Sequence, residues 1–150
     1  MDYQSRTSVA LLKILLHHYW KISPQLIPAE KGYEAEIRDR TAGLVIGDRA
    51  FLQRKKSKYI YDLGSAWKDM TGLPFVFAAW VANTKLSNEF ISSFNEATSD
   101  GLKHIGGIVQ ANPFEDYDLF TYYTSNISYV LDAKKREGLK YFLELVKVKK

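Results

Sequence analysis

Three short stretches of the sequence carry residue types that could hold or transform a ligand. The first is Ser5-Arg6-Thr7-Ser8, set directly before Val9, Leu11, Leu12, Leu15, Leu16 and Trp20. Hydroxyl residues ahead of such an apolar run predict a helix N-cap. A helix start offers unpaired N–H groups and the positive end of the dipole, which suit a carboxylate or phosphate. The hydroxyls of Ser5, Thr7 and Ser8 add donors, and Arg6 adds charge. The bland alternative is a plain cap that binds nothing. The second stretch is Gly47-Asp48, which follows the apolar run Gly43-Leu44-Val45-Ile46. In open α/β sheets ligands bind beyond the carboxyl ends of strands, so Asp48 could contact a ligand or orient a neighbour. The alternative is a cap for the turn that follows. The third is Thr71-Gly72, within Thr71-Gly72-Leu73-Pro74-Phe75. Gly72 and Pro74 specify a particular turn that could present Thr71 and Gly72 to a substrate. Its alternative is a structural turn into the apolar stretch beyond.

Other chemistry is poorly represented. His17 and His18 are neighbours in a helix and face different ways, and His104 stands alone near Gly106-Gly107. Surface or packing roles suit all three. Glu115, Asp116 and Asp118 lack the spacing of a metal loop. There is no cysteine, which excludes disulfides, thiolate catalysis and cysteine-held zinc or iron–sulfur centres. No phosphate-binding loop, dinucleotide fingerprint or nucleophile elbow occurs. No residue is singled out as a catalytic base, and no metal site is expected.

Elements must position these groups. The N-terminal helix ends at Ser23-Pro24. Short strands are predicted at Gln25–Ile27, Gly43–Ile46, Tyr59–Leu63 and Phe75–Val81, and short helices over 34–40 and 65–70. Phe77 and Trp80 read as core residues. From Ser87 onward the apolar spacing is helical: Phe90, Ile91, Phe94 and Ala97, then Leu119, Tyr122, Tyr123 and Ile127, then Leu139, Phe142, Leu143 and Val146. The reading is therefore an α/β fold with a small, mostly parallel sheet and a helical C-terminal part. Its domains are an α/β lobe over 1–82 with a return strand, and a helical region over 83–150.

The chain has 150 residues, 46% hydrophobic and 25% charged, ordinary for a globular domain able to bury a core. The net charge of +4 comes from the C-terminus, where residues 134–150 hold seven Lys/Arg against two Asp/Glu. With a second cluster, Arg54, Lys55, Lys56 and Lys58, this makes solvated basic faces without interleaved stacking aromatics, so nucleic acid is not an expected partner. The apolar run Leu73–Ala82 is half the length of a membrane span, and Lys13 interrupts the N-terminal apolar stretch. A cytoplasmic protein is expected, without a membrane partner.

Several stretches together resemble the chorismate dehydratase family of menaquinone biosynthesis, in the futalosine pathway. They are Ser5-Arg6-Thr7-Ser8-Val9, Ala42 to Ala50, Tyr61-Asp62-Leu63-Gly64 with Trp67, Thr71 to Ala78 with Trp80, and Tyr129, Leu131 and Gly138 to Phe142. The resemblance runs across essentially the whole chain. It implies a two-lobed, periplasmic-binding-protein-like (type 2) fold and a cofactor-independent lyase. The reaction implied is loss of water from chorismate to give 3-[(1-carboxyvinyl)oxy]benzoate. Chorismate carries two carboxylates, so Ser5, Thr7 and Ser8 become substrate anchors, with Asp48, Thr71 and Gly72 as further contacts. The family also has another lobe, with a Ser-Tyr-Leu-Asn-like motif that does not occur here. The chain is expected to match the second lobe and the C-terminal helices, to be inactive alone, and either to self-associate or to work with a separate N-terminal lobe. The alternatives are the related 1,4-dihydroxy-6-naphthoate synthase and a non-catalytic anion-binding module.

Overall fold

A computed structural model of the chain describes residues 5–147. Its helices, in chain order, are α1 (Arg6–His18), α2 (Asp48–Arg54), α3 (Leu63–Thr71), α4 (Asn88–Lys103), α5 (Ile105–Ala111), α6 (Leu119–Thr121) and α7 (Ala133–Lys147). A 3₁₀ turn occupies Tyr33–Glu36, and a π turn, Tyr122–Asn126, follows α6. The described residues divide into two compact units, 5–78 with 131–147, and 79–130.

The first unit is built on α1. Ser5 is extended and its Oγ accepts the Ser8 amide at 3.0 Å, which starts the helix where the hydroxyl cluster predicts. At the other end the amides of Tyr19 and Trp20 both donate to the Leu15 carbonyl, closing the last turn before Ser23-Pro24. Leu11, Ile14 and Leu15 share one face at i, i+3, i+4 spacing and are fully buried. That face meets Ala66 and Trp67 of α3 and Phe142 of α7. Trp67 is wholly buried at the centre, with the Phe75, Tyr141 and Phe142 rings at 5.4, 5.7 and 6.0 Å. Burial of each large side chain contributes roughly 1.5–3 kcal/mol, so this cluster is the unit's main source of stability. Gly138 lets α7 approach closely, since a Cβ there would collide with the Pro74 carbonyl.

The second unit is different. Ser87 caps α4 by accepting the Phe90 amide at 3.1 Å. Asp118 caps α6, accepting both the amide and the hydroxyl of Thr121, at 3.1 and 2.6 Å. No residue between 79 and 130 is buried.

Two expectations are corrected here. The described residues form no strand and no sheet, which overturns the small, mostly parallel sheet and the periplasmic-binding-protein-like fold expected from the sequence. Residues 25–27, 43–46, 59–62 and 75–81 lie outside the helices, and no backbone ladder joins them. An apolar, β-branched run reads as a strand, but a strand exists only when a neighbour accepts and donates its hydrogen bonds. Side chains alone fix part of these segments, as where Phe75 enters the Trp67 cluster. The second correction concerns Phe77 and Trp80, which are 51% and 85% exposed rather than in the core. The helical expectations fare better, although over 34–40 only the 3₁₀ turn Tyr33–Glu36 forms, and the stretch of Leu119, Tyr122, Tyr123 and Ile127 is helical only over 119–126, with a π turn in place of a continuous helix. Among the described residues no helix is long and apolar enough to cross a membrane.

Candidate functional site

The predicted anion anchor sits at the start of α1. Ser5 spends its side chain on the Ser8 amide, and its carbonyl accepts the Val9 amide at 3.3 Å. The amides of Arg6 and Thr7 have no acceptor among the described residues, so the first turn offers two N–H groups and the positive end of a 13-residue helix. Ser8 is buried and turns toward the core, whereas Thr7 is half-buried and Arg6 is exposed. Thr7 and Arg6 are thus the side chains best placed to reach a ligand at this terminus.

Asp48 is the exposed first residue of α2, with Gly47 as the N-cap. Gly47 has φ 63° and ψ −153°, a conformation other residues adopt only under strain, and this sharp turn presents Asp48. The neighbouring Arg49 is tied down. Its guanidinium donates to Glu34 Oε1 at 2.8 Å and lies 5.8 Å from the centre of the Tyr33 ring. The Tyr33 hydroxyl in turn donates to the Leu44 carbonyl. Gly43 packs closely on Ile37 and Tyr33, so that a Cβ there would make the Ile37 side chain shift. Together these contacts fold 33–46 against α2 and fix the turn that carries Asp48.

Thr71 and Gly72 close α3. The Thr71 hydroxyl donates to the Trp67 carbonyl at 2.8 Å and accepts the Leu73 amide at 3.1 Å. Gly72, at φ 73°, donates its amide to the Lys68 carbonyl at 2.7 Å. This is a left-handed C-cap, and it explains why glycine stands there. Both polar functions of the Thr71 hydroxyl are used internally. The negative end of a helix also disfavours an anion.

All six predicted residues lie in the first unit, but no hydrogen bond or ion pair joins the three groups to one another. A surface cleft of about 250 Å³ opens between Lys13, His17 and Leu26, and another of about 500 Å³ lies along α4 near Glu96 and Lys103; residues 5–8, 48 and 71–72 line neither. Among the described residues no group of three or more His, Asp or Glu could hold a metal ion.

Sequence reasoning missed the Tyr33–Glu34–Arg49 cluster. Glu34 and Arg49 are fifteen positions apart on elements of different type, and no spacing rule connects them. It also missed the burial of the Trp67 indole N–H, which has no hydrogen-bond partner among the described residues. The tryptophan beside Asp62-Leu63-Gly64 was the only signal.

Comparison with known proteins bears on these elements together. A family model described as menaquinone biosynthesis matches residues 1–147. A chorismate dehydratase from Thermus thermophilus is 29% identical over 167 residues, an alignment that takes in 94% of this chain. The chain spans 59% of the length of that relative.

Proposed function

The chain belongs to the menaquinone-biosynthesis family, and from that premise we propose that it serves the dehydration of chorismate to 3-[(1-carboxyvinyl)oxy]benzoate. The observation that carries this reading is the 29% identity to a chorismate dehydratase across 94% of the chain. Because the chain spans only 59% of that relative, it is proposed to supply part of the substrate site.

The reaction removes one ring proton and the ring hydroxyl as water and leaves an aromatic ring. It asks for a firmly held dianion and a placed proton acceptor, not for a covalent nucleophile. In this reading the Arg6 and Thr7 amides, with the Thr7 hydroxyl and the Arg6 charge, receive one substrate carboxylate at the start of α1. Asp48, as a carboxylate, can meet the ring hydroxyl but would repel a substrate carboxylate. Thr71 and Gly72 serve indirectly, by shaping the turn after α3 and setting Phe75 against Trp67.

Titration of the purified chain with chorismate by calorimetry, with the reaction followed for aromatic product, tests this. Saturable binding that weakens when Arg6→Ala and Thr7→Ala are combined supports the anchor. Unchanged affinity in a folded double variant overturns it, and absence of both chorismate binding and aromatic product after addition of the remaining part of a dehydratase overturns the proposal as a whole. A second reading, a non-catalytic anion-binding module, is favoured by the open first turn of α1 alone. Binding without aromatic product, even after addition of the remaining part of a dehydratase, would select it.

A further inference from the structure

The second unit has two properties that point outward. It has no buried residue, and its charge is opposite to that of the rest of the chain. Residues 79–130 hold Lys85 and Lys103 against six acidic residues, a net charge of −4. The first unit holds the other 19 Lys/Arg against 11 Asp/Glu, a net charge of +8. On the second unit the Trp80 ring meets Phe94 edge-on at 5.5 Å, and Phe94 stacks with Phe90 at 6.2 Å. Trp80 is 85% and Phe90 54% exposed, so these two rings of the ridge face solvent while Phe94 is half-buried, and exposed Glu89 and Glu96 stand on the same helix.

The first unit carries a segment of complementary character. Arg54, Lys56 and Lys58 are exposed, and they lead into Tyr59, Ile60 and Tyr61, which are exposed too. Lys58 lies 5.2 Å from the centre of the Tyr59 ring, which keeps positive charge and aromatic surface together.

We infer that the Trp80–Phe90–Phe94 ridge is an interface for a second copy of this chain, which it engages through the basic, tyrosine-bearing segment 54–61. Two lines argue for a second copy. The charge balance favours this pairing and opposes ridge against ridge, since like-charged faces repel. The exposed apolar surface of Trp80, Val81, Phe90 and Ile91 would lie at the centre of that pairing, and a fully covered aromatic there buries up to about 150–250 Å². A contact between unlike surfaces closes into a dimer when each copy gives both, and otherwise runs on into a larger assembly. This inference does not depend on the proposed function, because association is read without substrate.

Sedimentation and light scattering of the full chain, across a concentration and salt series, test it. The expected result is reversible association at low salt that weakens as salt rises. Glu96→Lys or Lys56→Glu alone should weaken association by tenfold or more, and the two combined in one chain should restore it. Trp80→Ala, which leaves the charge unchanged, should abolish association, and Glu89→Lys is a second charge variant. Circular dichroism confirms that each variant keeps its helices. A wild-type monomer at high concentration overturns the inference. So does association that ignores both charge reversals, which would mark it as unspecific apolar clustering.

Discussion

Residues 5–78 with 131–147 bury Leu11, Ile14, Leu15, Trp67 and Phe142 around one centre, whereas residues 79–130 bury nothing. Both units have capped helices and aromatic side chains at helical spacing. α4 is the longest helix among the described residues, at 16 residues, and has both a serine cap and an apolar stripe. What separates the units is a second element for the stripe to meet. α1 meets α3 and α7, each bringing a large side chain to the same point. In α4 the rings of Phe90 and Phe94 find each other and Trp80, and none of the three is buried, Phe90 and Trp80 standing in solvent. A helix of this length is marginal in water without tertiary packing. Patterning makes a helix, but only convergence of several stripes makes a core.

This contrast is broken most directly by truncating one ring in each unit. Trp67→Ala removes the centre of the first unit's core and should cost about 3–5 kcal/mol, enough to unfold α1, α3 and α7 together. Phe94→Ala, its counterpart in the second unit, should cost under about 1 kcal/mol. Urea unfolding read by tryptophan fluorescence and by circular dichroism checks both. Equal costs would mean that the second unit has a core of its own.

Glycine substitutions sharpen the comparison. Gly138 in α7 has the Pro74 carbonyl where a Cβ would go, while Gly101 in α4 has open space around it. In an exposed helix, Gly→Ala stabilises by up to about 1 kcal/mol. Gly101→Ala should therefore raise stability slightly. Gly138→Ala should lower it by about 1–3 kcal/mol, because α7 must move away from Leu73 and Pro74. Thermal unfolding of the two variants should shift in opposite directions, and a shared upward shift would show that α7 is not held against Pro74.

What could be read in the sequence follows the same line. Local signals were legible. The Ser5 cap, the start of α4 at Ser87, the end of α3 at Thr71-Gly72 and the span of α7 all follow from residues within one or two turns of each other. That the described residues form no sheet was not legible. Val45-Ile46 and Phe75-Val76-Phe77 have the composition of strands, but whether a strand forms depends on a hydrogen-bonding neighbour that composition does not specify. The candidate site divides in the same way. Asp48 at a sharp turn was legible from Gly47. The Glu34–Arg49 pair and the Tyr33 contact to Leu44 that brace the turn were not, since they join residues fifteen and eleven positions apart. Membership in the family was legible because it rests on the order of residues and not on the fold.

The helix caps extend the comparison at smaller magnitude. Ser5→Ala in the first unit and Ser87→Ala in the second each remove one accepted amide, worth about 1 kcal/mol. In the first unit the loss should appear only in global stability, since the Trp67 cluster still holds α1. In the second it should appear as faster amide exchange over the first turn of α4. Equal local protection in the two variants would mean that α4 is held by more than its cap.

The smallest effect is expected from acid, and each unit carries its own probe. Asp118 accepts the hydroxyl and the amide of Thr121, and chiefly the hydroxyl bond holds its carboxyl below the usual value of 3.8. Asp132 accepts the Lys135 amide at 2.9 Å, and that bond holds its carboxyl low as well. A carboxyl whose pKa is depressed by folding stabilises the folded state above its unfolded pKa, and that contribution is lost as pH falls through the folded value. Both caps should therefore be intact at neutral pH and weaken once pH drops below about 4, the range in which an unconstrained aspartate takes up a proton. The consequences should differ. Asp132 leads into α7, which Phe142 anchors in the core, so protonation there should leave the helix in place. Asp118 leads into a single turn and a π turn in the unit without buried residues, so protonation there should release residues 119–126. Amide exchange measured between pH 5 and pH 2.5, corrected for intrinsic rates, should show protection lost first around Thr121 and only later around Lys135. Simultaneous loss at both caps would show that the two units stand or fall together in acid.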